Sequence, residues 1–140
     1  MARAIALISD GCSDGERVVD VRGEIDVGTA PALRDWIARA SDGGRHGVVV
    51  DLRGVHFLAI SGLYVLCDEQ QRMLPYRARL TIVCSSRRAL QLFTVCRLDE
   101  VLHVVPSRDP SAPSGPWSEE DDARAERLSA WLSRYAAASA

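Results

Sequence analysis

One serine in the sequence lies where a side-chain hydroxyl could do chemistry. Ser61 and Gly62 fall at the junction between an apolar strand end and a helical pattern, within FLAISGLYVL at residues 57–66. A hydroxyl in such a place can accept a phosphate, cap the helix or serve as a nucleophile. The nucleophile elbow of a serine hydrolase requires G-x-S-x-G, and A-I-S-G-L does not match it. Phosphate acceptance and helix capping therefore stay open for Ser61.

Cysteine chemistry is the second possibility, since the chain contains Cys12, Cys67, Cys84 and Cys96. No C-x-x-C pair is present of the kind that holds zinc or forms a thioredoxin-type redox centre. Cys67 shares the apolar side of a predicted helix, so we expect it to be buried. Cys84 and Cys96 lie at the ends of predicted elements, where we expect them to be easier to reach. Inert small thiols are the simpler interpretation, with oxidation as the alternative.

The composition indicates one soluble domain with a short appendage, because 140 residues that are 47% hydrophobic can bury one proper core. The net charge of −2 argues against nucleic acid as a partner. No stretch approaches the roughly 18 apolar residues of a membrane-spanning helix, and Asp10 comes too early for a secretory signal. The chain has no lysine, which excludes a Walker-type phosphate loop. We therefore expect a cytoplasmic protein without metal, cofactor or direct membrane insertion.

The elements that must position these residues follow from the hydrophobic patterns. Strands are predicted at 4–9, 17–22, 47–52, 79–84 and 102–106, with helices from Thr29 to the turn at 41–44, at 62–74 and at 86–96. The run GVVVDL at 47–52 is apolar almost throughout, which is typical of a central strand. Strands that alternate with helices predict an α/β layer with right-handed crossovers wherever strands run parallel.

The C-terminal segment has a different composition. Residues 106–117 form a Pro-rich linker, and residues 118–140 form an amphipathic helix with Ser118 as its N-cap. Its apolar stripe consists of Leu128, Trp131, Leu132 and Tyr135. This stripe must be buried somewhere, because an isolated helix of this length is only marginally stable. It can fold back on the domain, pack against a second copy in a homodimer, or cover part of a partner surface and tune binding.

Four motifs in this string resemble one known family. They are G-E-I-D at 23–26, DLRGVHF at 51–57, S-G-L at 61–63 and SRRALQLF at 86–93. In this order and spacing they resemble the STAS family, and within it the single-domain anti-sigma factor antagonists of bacteria. The resemblance covers about residues 1–105 and implies a mixed β-sheet flanked by α-helices, to which the C-terminal helix is an addition.

The resemblance implies a partner and a binding surface. Antagonists of this family bind an anti-sigma factor that has the ATPase fold of histidine kinases, and thereby release a sigma factor. Carried over to this sequence, the surface includes Asp26 together with Ala59, Ile60, Ser61 and Gly62. Such a chain binds a protein and is not an enzyme. Asp26 has a simpler alternative role, which is to bond the backbone ahead of the helix at Thr29.

The sequence departs from the family at the residue that is normally phosphorylated. Family members carry D-S-S-G-L or D-S-T-G-L, and the partner kinase phosphorylates the serine after the Asp. Here Ala59 stands at the Asp position, Ile60 at the phosphoacceptor position and Ser61 at the second Ser/Thr position. The usual switch residue is absent, so we expect an antagonist that phosphorylation at the usual site cannot release.

Ser61 keeps two interpretations in this setting. As a displaced phosphoacceptor, it takes over the missing role. As the N-cap, it accepts from the N–H of Leu63 or Tyr64 and contributes about 1 kcal/mol, while Ile60 and Val65 form a hydrophobic staple.

A different binding role is the alternative for the whole chain. Similar single STAS domains serve as cytoplasmic subunits of lipid-transporting ABC complexes, and others act as signalling or ligand-binding modules. Those subunits can also lack the usual Asp-Ser pair, so Ala59 and Ile60 do not separate the two roles.

Overall fold

Strands and helices alternate along the chain in the predicted order. The computed structural model describes residues 4–10, 16–107 and 115–139. The strands are β1 (Ile5–Asp10), β2 (Arg17–Ile25), β3 (Val48–Leu58), β4 (Leu80–Val83) and β5 (His103–Val105). The helices are α1 (Ala30–Ala40), α2 (Ile60–Met73), α3 (Arg87–Val95) and α4 (Glu119–Ser139), with a short 3₁₀ turn at Leu74–Tyr76. The predicted α/β class is confirmed.

The strands form one mixed sheet in the order β1-β2-β3-β4-β5. The first pair is antiparallel, and the other neighbours are parallel. Right-handed crossovers that all progress in one direction place α1, α2 and α3 on the same face of the sheet. The strand end that precedes each crossover helix therefore lies at one edge of the molecule, which is the edge where α2 begins.

The core lies between the sheet and this helical layer. Its largest fully buried side chains include Ile25, Leu80 and Ile82 from the strands, Leu33 and Ile37 from α1, Leu63 and Leu66 from α2, and Phe93 from α3. Helix α1 buries Leu33, Ile37 and Ala40, whose spacing places them on one face of the helix. In β2 the alternate residues Val19 and Val21 face this core.

The third strand is longer than its apolar run. The sequence predicts strand 47–52, whereas β3 continues to Leu58 through residues that are mostly half-buried or exposed. Pairing with β2 extends it, since Gly23 aligns with Val55 and Ile25 with Leu58. Gly54 permits this close approach, because a Cβ there would lie 2.8 Å from the Arg22 side chain. Tertiary pairing thus carries β3 directly to the start of α2.

Helix α4 folds back onto the domain. Leu128 and Trp131 are buried in the same core as the sheet, and the indole Nε1 of Trp131 donates to the Cys96 carbonyl at 2.9 Å. The predicted cap is confirmed, since Ser118 Oγ accepts from the Asp121 N–H at 3.4 Å. Of the three fates considered for the apolar stripe, the structure shows the first. Cys12 and residues 108–114 of the predicted linker lie outside the described residues.

None of the helices in the described part of the chain is long and apolar enough to cross a membrane.

Candidate partner-binding site

The site predicted from the sequence forms where two neighbouring strands end. Ile25 and Leu58 are register partners at the ends of β2 and β3, and the Ala59 N–H donates to the Ile25 carbonyl at 2.8 Å. Asp26 directly follows the first strand, and Ala59 directly follows the second. The structure therefore brings together the two predicted segments, which are Asp26 and the stretch 59–62.

Helix α2 begins two residues earlier than its predicted start. Ala59 is extended, with φ −88° and ψ 164°, and occupies the N-cap position without a side-chain cap. Its carbonyl accepts from the Gly62 N–H at 3.0 Å, which closes the first turn. Because the strand pairing holds Ala59 in the extended conformation, the helix starts at Ile60. The predicted helix frame, which starts from Ser61, is wrong.

The shifted frame changes the role of Ser61. Its side-chain oxygen is buried and has no hydrogen-bond partner among the described residues. Ser61 is thus the second residue of the helix and not its cap. The predicted staple is wrong for the same reason, since Val65 is buried and Ile60 is 50% exposed. In the described part of this site, no base contacts the Ser61 hydroxyl, so the arrangement does not activate it as a nucleophile.

Gly62 sets how closely α2 approaches the strands. A Cβ at this position would lie 2.6 Å from Ile25 Cγ2 and 2.8 Å from Leu58 Cδ1. The residue is buried, so its part in the site is to seat the helix on the ends of β2 and β3. Any larger side chain would push the start of α2, and with it Ile60, away from the sheet.

Asp26 organises the loop beside this helix start. Its Oδ1 accepts from the N–H groups of Gly28 and Thr29, both at 2.9 Å. The Thr29 hydroxyl donates to the Glu24 carbonyl and accepts from the Asp26 N–H, so it makes no cap bond to α1. The hydrogen bond from the Thr29 N–H is the main reason why the pKa of Asp26 lies below its usual value. The backbone-bonding role predicted for Asp26 is confirmed.

Three apolar side chains are exposed around this edge. Val27 is 81% exposed, Phe57 47% and Ile60 50%. Val27 follows the end of β2, while Phe57 and Ile60 flank the end of β3. The sequence motifs indicate Ile60 as a surface residue but not Val27 or Phe57. The available signal was a valine inside the polar turn D-V-G at 26–28, where apolar residues are uncommon. Exposed apolar side chains beside a helix start are suited to a protein contact.

The cysteines lie apart from this surface. Cys67 is buried as predicted, and burial raises the pKa of its thiol far above the usual range. Cys84 is buried too, so the prediction that it is easier to reach than Cys67 is wrong. It continues the core-facing side of β4, and its N–H donates to the Val105 carbonyl at 2.9 Å, which draws it into the sheet. Cys96 is half-buried.

Comparison with known proteins agrees with this architecture. The model of the STAS domain family matches residues 6–110. Over 86 residues the chain is 30% identical to an anti-sigma-B factor antagonist of Staphylococcus epidermidis, which covers 61% of this chain and 80% of the relative.

Solved structures extend the agreement to three dimensions. An anti-sigma factor antagonist from Mycobacterium paratuberculosis superposes with a TM-score of 0.66 at 29% identity, over 74% of this chain and 86% of that chain. A STAS-domain anti-sigma-factor antagonist protein from Planctomyces limnophilus has the same fold, with a TM-score of 0.60 at 16% identity, and covers 91% of this chain and 97% of that chain. The chain belongs to the STAS domain family, and the relatives that it resembles are anti-sigma factor antagonists.

Proposed function

We propose that the chain is an anti-sigma factor antagonist that binds a kinase-type anti-sigma factor through the start of α2 and thereby releases a sigma factor. The observation that carries the proposal is the exposure of Ile60 at the first residue of α2, next to strand ends where Val27 and Phe57 are also exposed. The similar proteins, which are named anti-sigma factor antagonists, support the same function. Binding in the cytoplasm, and not catalysis, is the activity that this surface serves.

Ile60 is the central contact of the proposed interface. It is the first residue of α2 and half of its side chain is exposed, so a partner that covers it removes apolar surface from water. Completing the burial of such a side chain contributes about 1 kcal/mol, roughly half the value for burying it fully. Gly62 and Asp26 hold the two segments in place beneath this contact.

The same residue makes the proposed interface insensitive to the family's phosphorylation switch. Isoleucine at the phosphoacceptor position cannot carry a phosphate. The neighbouring Ser61 has its hydroxyl oxygen buried, so a kinase cannot reach it while the first turn of α2 is intact. The chain then acts as a constitutive antagonist, whose activity is set by its amount or by another input.

Affinity capture tests the proposal. The tagged full chain is incubated with its native cytosol, with and without ATP, and the bound proteins are identified by mass spectrometry. We expect capture of a histidine-kinase-fold anti-sigma factor that ATP does not release. Capture of a membrane permease together with its ATPase would overturn the proposal in favour of a transport-complex subunit.

Two variants assign the captured protein to the proposed surface. Ile60→Asp puts a charge into the apolar contact and is expected to weaken binding at least tenfold. Val95→Asp is the matched control, because Val95 is also an exposed aliphatic residue but lies at the end of α3, outside the site. Equal binding by the two variants would show that the interface lies elsewhere.

A further inference from the structure

The outward side of α2 continues from the proposed contact into a groove. Tyr64, Asp68 and Gln71 follow Ile60 at intervals of three or four residues, so they form one stripe along the helix. All four are exposed or half-buried. A partner that covers Ile60 and extends along the α2 axis therefore meets Tyr64 next.

Helix α4 supplies the opposite wall of this groove. Its residues Ser129, Leu132, Ser133 and Tyr135 face the stripe of α2 across a cavity of about 670 Å³. That volume accommodates several side chains of a bound segment. Both walls are helices of the same layer. A third helix can therefore pack over the two, with its ridge of side chains in the groove between them.

Three aromatic rings pack together at the end of the groove nearest Ile60. The ring of Trp131 stacks on Tyr135 at 4.1 Å between centroids, and Tyr64 lies 5.6 Å from Trp131 and 6.1 Å from Tyr135. Trp131 is itself buried and bonded to the Cys96 carbonyl, which fixes this aromatic cluster on the core. Tyr64 and Tyr135 keep more than a third of their surface exposed, so they offer preformed aromatic contacts.

The polar groups of the groove are neutral or already paired. Asp68 accepts from Arg34 Nη2 at 2.9 Å, so its charge is compensated within the domain. Gln71, Ser129 and Ser133 can donate and accept hydrogen bonds without carrying charge. The groove therefore fits a segment with an apolar face and uncharged polar flanks, and it disfavours a highly charged one.

We propose that this groove between α2 and α4 binds an amphipathic helix of the same anti-sigma factor that contacts Ile60. The inference rests on the function proposed above and adds to it a second contact in the adjoining groove. The C-terminal helix then has two roles, since it completes the core through Leu128 and Trp131 and widens the partner surface through Ser133 and Tyr135.

Site-specific photo-crosslinking in the full chain tests this inference. A photoreactive amino acid is placed in turn at Ile60, at Ser133 in the groove wall, and at Ala130, which is exposed on α4 but does not line the groove. We expect Ile60 and Ser133 to crosslink to the same kinase-fold protein and Ala130 to give no adduct with it. An adduct from Ile60 alone would overturn the inference and leave the proposed function standing.

The remaining outcomes also decide between proposals. An adduct from Ser133 to a second copy of this chain would identify a homodimer interface and overturn the inference. If neither Ile60 nor Ser133 crosslinks to a kinase-fold protein, the proposed function and the inference are both rejected.

An affinity measurement with the captured protein provides an independent check. Ser133→Arg places a long charged side chain in the groove and is expected to weaken binding about tenfold, while Ala130→Arg changes the affinity less than twofold. Both positions are exposed, so both variants are expected to unfold at the wild-type temperature. Equal affinities for the two variants would contradict the inference.

Discussion

Helices α2 and α4 begin in opposite ways. At the start of α4, the Asp121 carboxylate accepts from the Ser118 N–H and from Arg79 Nε, each at 2.8 Å, and Ser118 Oγ accepts from the Asp121 N–H in return. At the start of α2, the cap position holds Ala59, which has no side-chain acceptor, and the first helical residue is the half-exposed Ile60. One start is polar and paired, whereas the other is apolar and open.

The difference teaches what each helix start is for. The α4 start has an acidic first turn and a reciprocal cap, which are the features that stabilise a helix N-terminus. The α2 start lacks a cap worth about 1 kcal/mol and presents apolar surface to water. Such a start is unfavourable for an isolated domain and favourable when a partner covers it. We infer that α4 begins with a structural anchor and α2 with a contact surface.

The largest effect is expected from breaking the anchor. Asp121→Ala removes the carboxylate that accepts from the mostly buried Arg79 and from Arg124. A hydrogen bond to a charged group typically contributes about 1.5–3 kcal/mol, and we expect a loss of about 3 kcal/mol in the free energy of unfolding by urea. Asp35→Ala is the control, since its pair with Arg39 is exposed and its loss is expected to cost less than about 1 kcal/mol. Equal losses for the two variants would show that Asp121 does not anchor the start of α4.

Acid is expected to weaken the same anchor more gradually. The bonds from Arg79 and Ser118 lower the pKa of Asp121 from 3.8 to about 2, although burial acts in the opposite direction. Because the folded pKa lies below the unfolded one, this stabilisation is complete above about pH 5 and is lost as the pH falls from about 4 to 2. We expect the stability difference between wild type and Asp121→Asn to shrink by about 2 kcal/mol over that range. A constant difference would show that the carboxylate charge is not involved.

The open start can be converted into a capped one. Ala59→Asp places an acceptor at a residue whose extended backbone already suits the N-cap, so the free energy of unfolding is expected to rise by about 1 kcal/mol. The same change in the middle of α4, Ala130→Asp, is the control and is expected to be neutral or slightly destabilising. If Ala59→Asp gives no gain in stability, the first-turn N–H groups of α2 are already satisfied. The start of α2 would then not be less stable than the start of α4 for lack of a cap.

The smallest effect is expected at Ser61. Its oxygen has no partner among the described residues, so Ser61→Ala should change the free energy of unfolding by less than about 0.5 kcal/mol. Ser86→Ala is the matched control, because the Ser86 side chain accepts from the Ala89 N–H and caps α3, and its loss is expected to cost about 1 kcal/mol. A loss of that size at Ser61 would restore the cap interpretation.

The sequence predicts most of the fold because periodicity and turn residues act locally. The order of elements, the stripe of α1 and the Ser118 cap all follow from near neighbours in the chain. The start of α2 does not, because the frame of that helix depends on pairing between β3 and β2, which extends the strand to Leu58. A local pattern cannot show that Ala59, and not Ser61, becomes the last extended residue.

The sequence predicts where the candidate site lies but not which side chains are exposed there. The motifs placed Asp26 and residues 59–62 together, and the structure does the same. The exposure of Val27 and Phe57 depends on which loops lie beside them, and the burial of Cys84 depends on its bond to Val105. The groove beside α2 depends on where α4 docks, for which the sequence left three possibilities.

The most direct measurement follows the complex between this chain and its captured anti-sigma factor after ATP is added, with Ile60→Ser as the comparison. Wild type has no acceptor at the usual position and a buried hydroxyl at Ser61, so we expect its complex to persist without phosphate on the chain. The Ile60→Ser chain regains a hydroxyl at the first residue of α2 and is expected to be phosphorylated and released. Release of the wild-type chain with phosphate on Ser61 would contradict the account of α2 as a contact surface that phosphorylation cannot switch.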